Sequence, residues 1–375
     1  MKKRLLICLA LLLSLPALPT RAAEDYHAAS MILYAPDTNT VLLEKDPDAR
    51  MLVASTTKIM TALVVLEHCD PAETVCVKPA HTAVEGSSMY LKAGETYTVE
   101  ELLTGLLLAS GNDAALALAE HTAGSVAAFA ALMNEKCRVL GLENSHFVNP
   151  HGLDDPDHYS SARDLAHITA QAMENPVFCR IFASSSAVAH GVRYVNHNKL
   201  LTSCAGCIGG KTGYTKAAGR VLVSCAEREG LRLICVTISD PNDWADHSRA
   251  YDEAYAAWRY LRFPEETWET LPVLSGVAER LRLCCDRTGL LVPKSAEPEL
   301  EVALPRFAFA PVLAGEKLGT LTVRLDGCPV LEADILSRDT VVRDKRVPLT
   351  FKEQFQRAWE MYCKYGLYTV YPMER

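Results

Sequence analysis

The chain has 375 residues, of which 49% are hydrophobic and 22% charged, a balance that excludes a disordered or low-complexity scaffold. Its length is enough for two domains, and a net charge of -8 argues against nucleic acid or another anionic polymer as the main partner.

The first element is not part of a fold. Lys2, Lys3 and Arg4 precede an uncharged stretch over 5–19, and Thr20-Arg21-Ala22 offers small residues around a cut after Ala22. A basic start, an apolar middle and a small-residue end have the layout of a secretory signal, and the apolar run is too short for a membrane span. Residues 1–22 are therefore read as a signal peptide, and the mature chain is expected outside the cytoplasm. Cys8 leaves with the signal, so twelve of the thirteen cysteines remain. Many of them sit inside apolar runs, as Cys225 and Cys235 do, where a thiol serves as a small buried hydrophobe. Cys204-Ala-Gly-Cys207 is the one pair with suggestive spacing. It lacks the second ligand pair of a zinc site, so no metal is expected; a local disulfide and free thiols both stay open.

Residues 28–46 hold two strand-like runs, AASMILYA and TVLLEKD, around the turn Pro36-Asp37-Thr38-Asn39. From 55 to 67 the sequence is free of helix breakers and apolar nearly all round, as in a buried helix. VEELLTGLLLAS, DAALALAEHTA and SVAAFAALMNEKCRVLG continue the helical pattern, the last stopped by Gly141, and Ser160 or Ser161 caps another helix. Residues 220–227 and 231–239 read as a hairpin around Arg228-Glu229-Gly230, and a helix is expected from about 244 to 261. Strands at both ends of a helical middle assemble most simply as one antiparallel sheet with helices packed on it, an α+β domain.

Phe263-Pro264 marks a boundary, giving a first domain over 23–264. Six short strand-like pieces follow and read as a small all-β domain over 265–345. The tail over 346–375 places Phe351, Phe355, Ala358, Trp359 and Tyr362 on one face of an amphipathic helix, with Lys352, Glu353, Arg357, Glu360 and Lys364 on the others. Such a helix either docks on its own domain or lies in a membrane surface, and composition does not choose.

Three short motifs carry chemistry: Ser55-Thr56-Thr57-Lys58, Ser110-Gly111-Asn112 and Lys211-Thr212-Gly213. Each alone is a common accident, but the first opens a buried helix, the second ends one and the third precedes a hairpin. Ser55 at a helix start has free backbone amides around it, and Lys58, three residues on, shares its face. Serine needs a base to become a nucleophile, and lysine is a base only when neutral. Burial in an apolar helix and a second cation, Lys211, would both lower its pKa.

These motifs resemble those of the penicillin-binding proteins and serine β-lactamases, and within that group the chain is similar to the low-molecular-mass D-alanyl-D-alanine carboxypeptidases. NPHGLDDPDHYSSARDLA (149–166) and GGKTGYTKAAGRVLVSCAEREGLRLICVTI (209–238) carry the resemblance further, over roughly 25–262. It implies a β-lactamase/transpeptidase-like α/β (α+β) domain with an antiparallel sheet, flanking helices and a helical subdomain. It also implies a serine carboxypeptidase that removes the terminal D-alanine from peptidoglycan stem peptides, needs no cofactor and is acylated by β-lactams. On that resemblance Ser55 is the nucleophile, Lys58 the base and Ser110 a proton relay. Asn112 holds the peptide, Lys211 and Thr212 face the terminal carboxylate, Gly213 allows close approach, and the N–H groups of Ser55 and Tyr214 form the oxyanion hole. Relatives often carry histidine where Tyr214 stands, and some place an arginine near the carboxylate; NDWADHSR offers Arg249, to which no role is assigned. No convincing loop with a dedicated glutamate, as some β-lactamases use, lies between Ser110 and Lys211. His151, His158 and His247 are each read as lying in a polar loop segment without ligand spacing, so neither a metal nor a triad role is expected of them.

Overall fold

The computed structural model describes residues 21–22, 24–263 and 270–344, together with 352–353, 355–356, 359 and 368–372. Two compact units divide the chain, one over residues 20–257 and one from 258 onward.

The first unit is built on strands β1 (Arg21–Ala22), β2 (Ser30–Ala35) and β3 (Thr40–Lys45), two hairpins, β4 (Thr74–Cys76) with β5 (Thr96–Thr98) and β6 (Ser186–Ala189) with β7 (Val192–Val195), and β8 (Cys207–Thr215), β9 (Gly219–Arg228) and β10 (Leu231–Ile238). The six-stranded sheet runs β1-β3-β2-β10-β9-β8, which leaves β8 as an edge; β1 lies within the segment read as a signal peptide, so a cut after Ala22 would leave the five strands from β3 to β8. Its long strands pair antiparallel, and the first strands meet the last ones through β2 and β10, with Leu33 opposite Cys235.

Eight helices belong to this unit: α1 (Thr57–His68), α2 (Val99–Leu108), α3 (Asn112–Ala123), α4 (Val126–Leu140), α5 (Ala162–Ala172), α6 (Pro176–Phe182), α7 (Leu200–Ser203) and α8 (Asp243–Ala257). Their ends obey local chemistry. Thr98 and Glu101 close a capping box on α2 (Glu101 N–H to Thr98 Oγ1 3.1 Å, Thr98 N–H to Glu101 Oε2 2.8 Å). Ser161 caps α5 by accepting from Asp164 N–H, and Gly141 ends α4 at a φ of 68°. The main core lies between the sheet and α1–α6, where Val221, Val223 and Cys225 of β9 meet Ile59, Met60, Leu103 and Leu118. The other sheet face carries α8: Ser224 lies against His247 and Tyr251. Among the described residues no single helix is long and apolar enough to cross a membrane.

The helix expected to run on to about 261 ends at Ala257. Residues Trp258–Arg262 instead form β11, paired with β15 (Gly289–Pro293) in the second unit, because alternating Trp258, Tyr260 and Arg262 suit a ladder better than a helix face. This unit also holds β12 (Leu271–Leu274), β13 (Arg280–Leu281), β14 (Leu283–Cys285), β16 (Pro298–Pro305), β17 (Ala308–Phe309), β18 (Lys317–Leu325) and β19 (Cys328–Ser337), around Leu283, Val302, Leu321, Val323 and Ile335.

Of the apolar face expected in the tail, Phe355 and Trp359 are described; both are exposed and their rings stack at 6.3 Å. Phe351, Ala358 and Tyr362 lie outside the described residues, as does most of the signal segment. Near its C-terminal end the chain forms β20 (Tyr368–Pro372), which pairs along β16 from Glu301↔Pro372 to Pro305↔Tyr368. Sequence pattern alone gave no sign of this strand. Removing residues 368–375 should therefore uncover the β16 edge, lower the melting temperature of the second unit by several degrees and promote self-association. Calorimetry and light scattering check this; an unchanged transition would show that β20 adds nothing.

Candidate active site

The chain enters the site through a tight turn rather than a helix end. Ala54 has a φ of 46°, and Ala54–Thr56 form a 3-10 turn that runs directly into α1. Such a turn eclipses residues three apart, so Ser55 and Lys58 still stack. Lys58 Nζ lies 2.9 Å from Ser55 Oγ. Gly152 makes this approach possible: it has a φ of 86°, and a Cβ there would stand 1.9 Å from the carbonyl oxygen of Ala54. Gly213 does the same from the other side, since its Cβ would meet Ser55 N and Val53 O at 3.1 Å.

Lys58 is 0% exposed, and its amine has two further partners, Asn112 Oδ1 at 2.8 Å and the carbonyl of His151 at 2.6 Å. Burial first, and the positive charge of Lys211 second, hold this amine well below the ordinary lysine value, with Asp113 opposing. A neutral amine has two N–H bonds and one lone pair. Asn112 Oδ1 and the His151 carbonyl can only accept, so they take both N–H bonds. The lone pair is left for the one neighbour that can donate, the Ser55 hydroxyl. Asn112 is fixed in this orientation because its Nδ2 donates to Glu85 O (2.6 Å). The side chain expected to hold peptide is thus committed at both ends in this structure, to Lys58 and to the 85 loop.

Ser110 sits between α2 and α3 with a φ of 59° and accepts from Lys211 Nζ at 3.0 Å. Lys211 also donates to Thr212 O (2.7 Å), and burial pushes its pKa down to about 7. On β8, Lys211 and Gly213 pair with Val223 and Val221, and so face the core side, where Ser55 and Ser110 lie. Thr212 and Tyr214 pair with Leu222 and Arg220 and take the opposite face. Tyr214 is 67% exposed.

The histidines are structural and are not all in loops. His247 lies in α8, fully buried between Ser224 Oγ (2.7 Å) and Thr237 Oγ1 (3.0 Å), and burial lowers its pKa to about 3. His158 accepts from Val148 N–H at Nδ1, so its proton is on Nε2, where it donates to Thr57 Oγ1 (2.8 Å) and pins the start of α1. His151 accepts from Leu153 N–H, and burial lowers its pKa to about 3, with Lys58 and His158 adding to the effect. What His151 gives the site is its carbonyl.

Arg249 lies in the second turn of α8, paired with Glu253 (2.8 Å) and over the ring of Tyr26. Arg220 is the guanidinium next to the site: its strand neighbour is Tyr214, Asp243 holds it through Nε (3.1 Å) and Nη2 (2.6 Å), and it lies over Trp244. Sequence reading missed Arg220, Gly152 and Asp113. The last accepts from Ser88, Met89 and Leu91 and so ties the 88–91 segment to the start of α3. A possible signal for Arg220 was its place directly across the hairpin from Tyr214.

The chain is similar in sequence and fold to known proteins. A family model described as D-alanyl-D-alanine carboxypeptidase matches residues 18–242. The chain is 30% identical over 361 residues to the D-alanyl-D-alanine carboxypeptidase DacF of Bacillus subtilis, covering 90% of this chain and 92% of that one. It is 38% identical over 244 residues to DacB2 of Mycobacterium tuberculosis, covering 62% of this chain and 84% of that protein. Its fold is similar to the crystal structure of penicillin binding protein 5 from Haemophilus influenzae, with a TM-score of 0.71 and 28% identity over 87% of this chain and 99% of the other. The chain belongs to the D-alanyl-D-alanine carboxypeptidase family and is a serine peptidase of the penicillin-binding fold.

Proposed function

We propose that the enzyme removes the terminal D-alanine from peptidoglycan stem peptides through an ester on Ser55, and that it does so outside the cytoplasm after export by residues 1–22. The 2.9 Å contact between Ser55 Oγ and the buried Lys58 amine carries this reading. Ser55 Oγ attacks the carbonyl carbon of the penultimate D-alanine while Lys58 Nζ takes its proton. The oxyanion forms against the backbone N–H groups of Ser55 and Tyr214, at the strand edge that Gly213 brings close. Ser110 accepts from Lys211 and keeps its own proton to donate to the departing amine; Lys58 then replaces that proton. Water completes the cycle by attacking the ester, with Lys58 again as base. Asn112 serves the chemistry through Lys58 and contacts the peptide if its bond to the 85 loop opens.

The terminal carboxylate lies at the free edge of β8, beside Lys211 and Thr212. Arg220 reaches it from the next strand: two of its five N–H donors are held by Asp243, and the rest are available to an anion. The exposed pair Phe355 and Trp359 supports a tail helix that rests on a membrane surface.

Ser55→Ala should abolish D-alanine release from a peptide ending in D-Ala-D-Ala, and Lys58→Ala should abolish acylation by a labelled penicillin, whose ester on the wild type should be long-lived. Normal acylation in Lys58→Ala would refute the base assignment, and rapid penicillin turnover would favour a β-lactamase. Arg220→Leu should raise KM for the peptide about 10- to 100-fold with little change in kcat, and should not affect a substrate whose terminal carboxylate is an amide. Arg249→Leu should behave as wild type. An unchanged KM in Arg220→Leu would remove that residue from the carboxylate site.

A further inference from the structure

At the ends of α1 and α3 opposite to Ser55 and Asn112, three donor side chains of different chemistry converge. Cys69 caps α1, its N–H donating to Val65 O (2.9 Å). The chain then turns back at once, with Glu73 N–H donating to Asp70 O (2.9 Å) and Glu73 Oε1 accepting from Asp70 N–H (2.7 Å). His121 lies in the last turn of α3, with Nε2 2.9 Å from Glu73 Oε2. One donor atom from each residue, the Cys69 sulfur, a Glu73 carboxylate oxygen and a His121 ring nitrogen, lies within 4.8 Å of the other two.

We propose that Cys69, Glu73 and His121 form a binding site for a divalent transition-metal ion of the zinc type, with a fourth position left to water. Sulfur and imidazole donors select against calcium and magnesium, which take oxygen. Bonds of about 2.0–2.3 Å to a tetrahedral zinc ion hold its ligands roughly 3.3–3.8 Å apart. The Glu73–His121 pair must therefore spread by a few tenths of an ångström while the sulfur draws in. Side-chain rotation accomplishes both, because the backbone is already fixed by the helix cap and the turn.

The exchange balances. Glu73 binds through a carboxylate oxygen, and forming the metal–sulfur bond turns the Cys69 thiol into a thiolate and releases its proton to solvent. The imidazole gives up its bond to Glu73 and binds as the neutral ring. A bound ion would tie the far ends of the two helices whose near ends carry Ser55, Lys58 and Asn112. This site stands apart from the acyl-transfer chemistry and does not depend on it. The residues are too scattered in sequence, 69, 73 and 121, to form a ligand motif, which is why the chain read as free of metal.

The test is a titration of the reduced, chelator-treated full chain with cobalt(II), then displacement by zinc(II). Expected are one equivalent bound, tetrahedral visible bands, a thiolate-to-cobalt charge-transfer band and one proton released, with affinity tightening about tenfold per pH unit below the thiol pKa. Cys69→Ser should remove the charge-transfer band, and His121→Ala should weaken binding about 100-fold. Glu73→Gln, the mildest change, should weaken it about tenfold while leaving the melting curve of the metal-free protein close to wild type, so it reads out even where the other variants fold poorly. No binding at all, a cobalt spectrum without the thiolate band, or a band that survives Cys69→Ser would overturn the proposal and leave a Glu73–His121 ion pair over a packed thiol.

Discussion

Lys58 reaches no water, and its amine meets two oxygens that can only accept and one hydroxyl that can donate, at 2.6–2.9 Å. An ammonium group buried there would carry a desolvation penalty of several kcal/mol with no carboxylate bonded to it. Asp113, the nearest helpful acid, spends its oxygens on Ser88 and on backbone N–H groups of 89, 91 and 114. The second buried lysine, 211, adds repulsion. Neutrality is the cheapest state for Lys58, and a neutral amine in this cage has one place for its lone pair. On the proposed mechanism the base is thus made by the packing of the domain rather than by a partner residue.

Other features of the first unit serve that cage. The buried face of α1 excludes water from Lys58, and the 3-10 turn before it brings Ser55 over the amine. Gly152 lets the 149–153 segment close down until the His151 carbonyl touches Lys58, and His158 locks the same segment to Thr57. The edge position of β8 leaves one side of Lys211, Thr212 and Gly213 open to a ligand, while β9 fixes the other. Eight positions from Gly219 to Ala226 hold that strand in register, so the site is as rigid as the sheet itself.

Much of this was legible in the sequence because the signals are local. The apolar run over 55–67, a serine cap at 160 or 161, the Gly141 stop and the hairpin around Gly230 each rest on a few adjacent residues, and each element was found. The spacing of Ser55 and Lys58 was enough to place them on one face. Contacts that join distant segments were not legible. Nothing local tells that the carbonyl of His151 meets Lys58, that Gly152 lies against Ala54, or that Asp243 and Trp244 hold Arg220. Residues 258–262 and 368–372 took strand form because partners in β15 and β16 were waiting, and partners are a property of the fold. The cysteines follow the same rule: those among the described residues are free, Cys204 and Cys207 included, and Cys69 owes its place beside Glu73 to a histidine on another helix.

The account stands on the claim that Lys58 is kept neutral by burial and by the charge of Lys211. The most direct measurement is the second-order rate constant for acylation by a labelled penicillin as a function of pH, in the wild type and in Lys211→Met. The acidic limb reports Lys58 in the free enzyme, where a fall in pH protonates the amine and removes the base. Removing the neighbouring cation lets Lys58 hold its proton more tightly, so the limb should move to higher pH, whatever the loss in absolute rate. A limb that stays in place or moves to lower pH would contradict the account.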